Sequence, residues 1–309
     1  MGMSMFYVFF GNNNSNKSVM KSCRLIFVIL FIGIQSVYSK PKSNFVVWQL
    51  PSQTDNIGNS YVFLMNDGKV VVMDGGVKEE ALYLRGFLAV LGNKVDLWFI
   101  SHPHADHVGA LAEILKNPKD LKIEKIYHSE FSPQLYAAES GSKEGVEKFY
   151  ELLKKSGIPV EDVKTPGMVV KIDQTSFKIL GLKNEDLTMN PYNNSSMIIR
   201  VWDDSKSMVF LGDCGSEESE RLLSSPFRKD LDCDYLQMAH HGQQGASKHF
   251  YRTIKFKACL WPTPTWVYNN DIGKGFNTHI LKTVEIRNLI DSLGIKTNYV
   301  SCKGLCKVE

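Results

Sequence analysis

Positions 101 to 109 read Ser101-His102-Pro103-His104-Ala105-Asp106-His107-Val108-Gly109. Three histidines and an aspartate crowd into six positions of a chain that holds only eight histidines in all. Imidazole nitrogen suits zinc, and a carboxylate binds or orients beside it. Histidines at i and i+2, then Asp and His at i+4 and i+5, have the spacing to serve two adjacent metal ions. Two such ions would bring the pKa of a shared water toward neutrality and supply hydroxide without a strong side-chain base. The competing explanation is a polar loop that contains three histidines by chance, and the scarcity of histidine elsewhere argues against it.

Donors this close in sequence converge only if rigid elements hold them. The apolar run 95–100 reads as a strand and 107–116 as a helix, so the motif occupies the loop at the strand's carboxyl end. Strands are expected at 45–50, 61–65 and 69–74, the last two joined by the turn Asn66-Asp67-Gly68. Helical periodicity covers 78–91, and further helices are expected at 143–156, 216–224 and 279–293. Strand candidates fill 123–128, 168–172, 175–181, 196–202, 206–212, 233–239, 257–261, 297–301 and 305–308. Two clusters of strands with helices between them predict a layered α/β protein, two sheets inside and helices outside, in one domain over 40–309.

Three more segments punctuate strand ends: Val71-Val72-Met73-Asp74-Gly75-Gly76, Val209-Phe210-Leu211-Gly212-Asp213 and Tyr235-Leu236-Gln237-Met238-Ala239-His240-His241-Gly242. With His102-x-His104-x-Asp106-His107, in this order, they resemble the motifs of the metallo-β-lactamase superfamily. That resemblance spans most of 45–309 and implies a four-layer αββα sandwich. Asn193-Asn194-Ser195-Ser196 ahead of an apolar strand, Gly212-Asp213 and the doubled His240-His241-Gly242 are most similar to the ComEC competence-protein hydrolase-like domain and the phosphorylcholine esterases. Most of the superfamily places a further histidine ligand near the Asn-Asn-Ser position. This chain has no histidine between His128 and His240.

The resemblance implies two divalent metals, zinc with manganese as the other candidate. It assigns His102 and His104 to one ion, Asp106, His107 and one of His240 or His241 to the other, and Asp213 to the bridge. His241 is taken as the ligand and His240 as a hydrogen-bonding neighbour of a substrate oxyanion, because adjacent side chains on an extended strand face opposite ways; the reverse assignment stays open. Asp106 and Asp213 are candidates for handling the proton. Asp74 is expected behind a ligand, orienting it. Asn194 and His279 are lesser candidates for substrate contact, His279 as the residue opening the last helix. His128 is read as a solvated or rim residue, His249 as surface and Cys214 as core. Trp261, Trp266 and Tyr268 form an aromatic loop that is partly packing.

The activity implied is hydrolysis of a phosphoester, chiefly a phosphodiester, in a small-molecule or envelope-derived substrate. The alternatives are an acyl hydrolase (lactone, thioester or β-lactam), a nuclease, and a non-catalytic binding module. Composition bears on these choices. The chain has 36 basic and 33 acidic residues. Residues 1–39 hold Lys17, Lys21 and Arg24 and no acid, so without them the balance is 33 against 33. That neutrality, with no basic run, does not favour nucleic acid as a partner.

Lys21 and Arg24, the apolar run 25–34 and Val37-Tyr38-Ser39 have the order of a secretory signal peptide, and the run is too short for a stable membrane span. Met20 offers a second start, which would make 1–19 an upstream extension. Five cysteines lie beyond residue 39. That odd number is no disulfide framework, though Cys302 and Cys306 are near enough in sequence to pair. Localisation outside the cytoplasm, periplasmic or secreted, is therefore expected. Sequencing the amino terminus of the protein recovered from its native compartment should find a start near Lys40; retention of 20–39 on a cytoplasmic protein would overturn this.

Overall fold

Apolar strands with both faces buried need covering on both sides, and this chain supplies that with sheets on the inside and helices on the outside. The computed structural model describes residues 42–187 and 189–309, so the leader segment lies outside the described residues. One seven-stranded sheet has the order Cys306–Val308, Phe45–Gln49, Ser60–Met65, Val70–Asp74, Leu97–Phe99, Ile126–His128, Val160–Asp162. The other, also seven-stranded, runs Thr297–Val300, Ala258–Trp261, Tyr235–Gln237, Ser207–Phe210, Ile198–Trp202, Thr175–Gly181, Val169–Ile172.

Side-chain alternation builds the layers. Along Val70–Asp74, Val71 and Met73 face the space between the sheets, while Val70 and Val72 face the helices. Aromatic rings knit the sheets together: Phe99 stacks on Phe177 at 5.3 Å, and Phe63 meets Phe177 edge-on at 5.7 Å between centroids. Helices α1 (Ala81–Val90), α2 (Ala105–Lys116), α3 (Pro133–Ala138) and α4 (Ser140–Lys155) come first in the chain. Leu84, Leu88, Leu111, Ile114, Phe149 and Leu153 of α1, α2 and α4 cover the outer face of the first sheet. The second half supplies α5 (Ser216–Ser224), α6 (Lys248–Thr253), α7 (Thr265–Asn269) and α8 (Thr283–Ser292). Leu222, Phe250, Ile286 and Leu289 of α5, α6 and α8 close the outer face of the second sheet. The result is the expected αββα sandwich.

Some expectations change. The last helix begins at Thr283, because the backbone at Asn277 and His279 donates to the carbonyls of Asn269 and Asn270 at the end of α7. His279 therefore precedes that helix and does not open it. The strand expected at 233–239 stops at Gln237, whose side chain takes the Leu211 N–H at 2.6 Å and donates to the Gly212 carbonyl at 3.1 Å. Three helices of five or six residues, α3, α6 and α7, were too short to show periodicity. Two of them carry a readable start: Ser132 and Ser247 accept from Leu135 and Phe250 N–H. The five described cysteines are all unpaired, Cys302 and Cys306 included. No described helix is long and apolar enough to cross a membrane.

Glu218, in the first turn of α5, is buried with its carboxylate on Asn184 Nδ2 at 3.1 Å, and burial raises its pKa from 4.5 to about 7. The folded chain thus holds a proton that the unfolded chain releases, and this contribution to stability, complete below pH 4.5, is lost as pH rises toward 7. Glu218→Gln keeps an acceptor and removes the titration. It is expected to stabilise the protein near pH 8 by on the order of 2 kcal/mol and to change little near pH 4. Melting curves of both proteins across this range check it; parallel pH dependences would refute it.

Candidate metal centre

Four strand ends aim their following residues at one point. Val70–Asp74 and Leu97–Phe99 pair in parallel in the first sheet, and Ser207–Phe210 and Tyr235–Gln237 pair in parallel in the second. Asp74 ends the first of these strands, the histidine motif follows the second, Asp213 the third, and His240 and His241 the fourth. His104 is the N-cap of α2, which puts Asp106 and His107 in its first turn.

Donor atoms of Asp106, His107, Asp213 and His241 all lie within 4.8 Å of one another. His107 Nε2 is 3.1 Å from Asp213 Oδ1, and His241 Nε2 is 3.0 Å from Asp106 Oδ2 and 3.3 Å from Asp213 Oδ2. His102 Nε2 and His240 Nε2 stand farther from the same Oδ2, at 4.0 and 3.9 Å. His102 Nε2 and His104 Nδ1 face each other at 2.9 Å. The structure thus brings together His102, His104, Asp106, His107, Asp213, His240 and His241.

Each of these rings has its outward nitrogen committed to an oxygen. His107 Nδ1 meets Asp74 Oδ2 at 2.8 Å, His241 Nδ1 the Pro262 carbonyl at 3.0 Å, and His240 Nδ1 the Gln244 carbonyl at 3.1 Å. His104 Nε2 meets Glu139 Oε2 at 3.0 Å, and His102 Nδ1 the hydroxyls of Ser101 and Ser196 at 3.1 and 3.3 Å. Asp74 is itself fixed by Ser101 N–H (2.7 Å), Ser101 Oγ (2.8 Å) and Asn59 Nδ2 (2.8 Å). Such contacts choose the tautomer and turn the other nitrogen's lone pair inward.

These residues fit a metal pair. His107 Nε2 and Asp213 Oδ1 are buried and have no hydrogen-bond partner, a costly state that a cation between them relieves. Burial opposes charge on His241, yet the carboxylates of Asp213 and Asp106 outweigh it and raise its pKa to about 9. Burial together with the neighbouring His107 and His104 drives the pKa of His102 well down, leaving it a neutral donor. Burial would lift the Asp213 carboxyl, but His107, His241 and His240 hold it well below the usual range.

Turn geometry departs from the expected strand. His240 and His241 lie in a tight turn with φ of 52° and 56°, followed by Gly242 at 76°. Pleat alternation therefore does not divide their roles; both point Nε2 toward Asp213. In the neutral ring, Nδ1–H donates to Gln244, so His240 Nε2 is an acceptor and not a donor to an oxyanion. Asn194 also sits differently, with its side chain tied to the Met189 carbonyl and the Glu218 N–H; it is Asn193 Nδ2 that reaches His240 Nε2, at 3.3 Å. The His279 ring packs against Trp266 at 6.3 Å. His128 is buried rather than solvated, edge-on to Tyr150, and burial lowers its pKa to about 4. Trp261 is a buried strand residue beneath Gly242.

A two-sheet α/β sandwich with a buried histidine and aspartate cluster at its strand ends has the donor set of a metal centre. The family model of the metallo-beta-lactamase superfamily matches residues 54–255, and the chain belongs to that superfamily, whose members are mostly metal-dependent hydrolases. Among solved structures it is similar to the metallo-beta-lactamase fold protein YhfI from Bacillus subtilis, at 14% identity and TM-score 0.54, over 86% of this chain and 100% of that one. It is also similar to CmlA, a diiron beta-hydroxylase from Streptomyces venezuelae, at 10% identity and TM-score 0.53, over 87% of this chain and 54% of that one. No curated protein sequence matches the chain.

The turn makes a stability prediction. A Cβ on Gly242 would stand 2.4 Å from Trp261 Cε3, whereas one on Gly68, also at positive φ, would meet nothing within 4 Å. Gly242→Ala is expected to cost about 3 kcal/mol and Gly68→Ala about 1 kcal/mol, the difference being the clash. Denaturant unfolding of both variants checks it; equal costs would show that Trp261 gives way freely.

Proposed function

We propose that the chain is an exported dinuclear metal-dependent hydrolase of phosphoester bonds, chiefly phosphodiesters, related to the ComEC-type and phosphorylcholine esterase subgroup. One observation carries the dinuclear part: the buried Asp213 carboxylate has four imidazole nitrogens within 4.0 Å, reaching both of its oxygens, and Oδ1 is unpartnered. One ion is assigned to Asp106, His107, Asp213 and His241, and the other to His102, His104, Asp213 and His240. His240 thus takes the place of the loop histidine that this chain lacks, because its Nε2 lone pair, and not an N–H, faces Asp213.

When bound, two zinc ions supply Lewis acidity toward a substrate oxygen and acidify a water toward neutral pH. The side chains do the rest. Asp213 is enclosed, while the Asp106 side chain keeps 25% exposure, so Asp106 is the carboxylate placed to hand a proton to solvent. His104 and His240, with side chains 19% and 21% exposed, form the mouth and set where the substrate phosphoryl oxygens enter. Asn193 Nδ2, 3.3 Å from His240 Nε2, is an amide donor placed for one of those oxygens. The subgroup likeness supports the phosphoester and rests on the Asn-Asn-Ser, Gly-Asp and His-His-Gly segments. The signal-like segment 21–39 supports export.

Metal analysis and turnover together test this. Asp213→Ala is expected to lose both ions, while His241→Ala and His240→Ala each lose one. Each change should lower kcat on bis-p-nitrophenyl phosphate by at least about 10²-fold. Full metal content with a pure rate loss in His240→Ala would return His240 to the role of a substrate-contacting residue. Zinc-loaded protein inert on the phosphodiester but active on a lactone or nitrocefin would replace the phosphoesterase with an acyl hydrolase. Iron as the tightly held metal would set the zinc assignment aside.

A further inference from the structure

Glu139 stands in the single-residue gap between α3 and α4, where its backbone is extended enough (φ −127°, ψ 83°) to send the side chain away from both helices. Its two carboxylate oxygens do different things. Oε2 meets His104 Nε2 at 3.0 Å, and Oε1 accepts from the Tyr192 backbone N–H at 3.0 Å. Tyr192 is wholly buried, packs on the His104 ring at 5.2 Å and donates its hydroxyl hydrogen to the Tyr136 carbonyl at 3.0 Å. One residue later comes Asn193, which touches His240.

We propose that Glu139 is a positioning residue for the ion assigned to His102, His104 and His240: it fixes the His104 tautomer and pins the segment that carries Asn193. This rests on the dinuclear reading above. The chemistry is specific. A carboxylate at Nε2 demands the Nε2–H tautomer, which leaves the lone pair on Nδ1, the nitrogen that faces His102 Nε2. The same carboxylate must still accept from Tyr192. The two donors sit on separate oxygens, and an amide keeps only one of them. In Glu139→Gln, either Tyr192 N–H loses its acceptor or an NH₂ group faces His104 and favours the tautomer with its proton on Nδ1, where an ion would be bound.

The test uses the full mature chain, stripped of metal and titrated with zinc against a chromophoric chelator. Wild type is expected to show two sites. In Glu139→Gln one affinity should fall about 10–100-fold, and the other should stay within about threefold. Glu139→Asp, a carboxylate on a shorter stem, should fall in between. Long-range ¹H–¹⁵N spectra of the metal-free proteins should show His104 with its proton on Nε2 in wild type and a shift toward Nδ1 in Glu139→Gln. Two unchanged affinities would overturn the proposal, as would equal weakening of both sites with a lowered melting temperature, which marks a merely structural residue. Wild type that binds fewer than two ions would instead overturn the dinuclear reading, and the positioning role with it.

Discussion

A carboxylate buried among imidazoles is the constraint on which the molecule depends. Asp213 is nearly sealed from water, and its Oδ1 has no hydrogen-bond partner. An ionised group in that position costs several kcal/mol unless positive charge meets it. Asp74 and Asp106 add two more acids within reach of His107, so the cluster concentrates negative charge at the strand ends. Without metal, protons on His107 and His241 are the compensation: burial opposes them, and the carboxylates nonetheless raise both pKa values. Two divalent cations would do the same task with more charge, each accepting the imidazole lone pairs that the protons otherwise occupy. The centre is therefore a cavity in the electrostatic balance that suits metal better than it suits protons.

Holding such a cluster together needs backbone shapes that ordinary residues avoid. Asp74, His240 and His241 all have φ between 52° and 58°, and Gly212 sits at 53°. Non-glycine residues there store strain, which persists only where the surroundings over-determine it. The surroundings do so here. A Cβ on Gly212 would stand 2.9 Å from Ser196 Oγ, and that hydroxyl is needed by both His102 and the Asp213 N–H. Gln237 ties the turn after one strand to the turn after its neighbour. The aromatic core between the sheets supplies the rigidity, and the turns spend some of that stability on geometry.

What could be read in the sequence follows from how each residue makes its contact. Ligand candidates come in local clusters or at the ends of apolar strands, so His102, His104, Asp106, His107, Asp213 and His241 were all recognisable, and they converge. Asp74 was recognisable for the same reason, as an acid closing a valine-rich strand. The layered fold followed from two clusters of strands with helices between them. Glu139 gave no comparable signal, and Asn193, Ser101 and Ser196 stood out only as members of motif segments, without their contacts. Their hydrogen bonds join single residues 35, 47, 27 and 94 positions apart, and nothing local distinguishes such a glutamate or serine from its solvated kin. The division of labour between His240 and His241 was argued from a strand that ends at Gln237, so the premise failed before the conclusion. His128 was misplaced because a histidine beside Ser129 and Glu130 looks polar, while the packing of Tyr150 encloses it.

On the proposed assignment of two ions the cluster divides into two halves. His104 and His107 lean on carboxylates, Glu139 and Asp74, and His240 and His241 lean on main-chain carbonyls, Gln244 and Pro262. A carboxylate behind an imidazole makes the ring a stronger donor than a carbonyl does. Each half thus has one strengthened ring and one ordinary ring, with Asp213 between them. The halves differ in the remaining donor. One has Asp106, a charge; the other has His102, neutral and backed only by hydroxyls. They differ also in access, since His107 and His241 are sealed while His104 and His240 keep about a fifth of their side chains exposed. Both halves nevertheless reach water, one through His104 and His240 and the other through Asp106, whose side chain is 25% exposed. Each half therefore opens to water beside one partly exposed carboxylate, Asp106 in the first and Glu139 in the second. The asymmetry lies in the buried backing, the Asp74 carboxylate behind His107 against the hydroxyls of Ser101 and Ser196 behind His102.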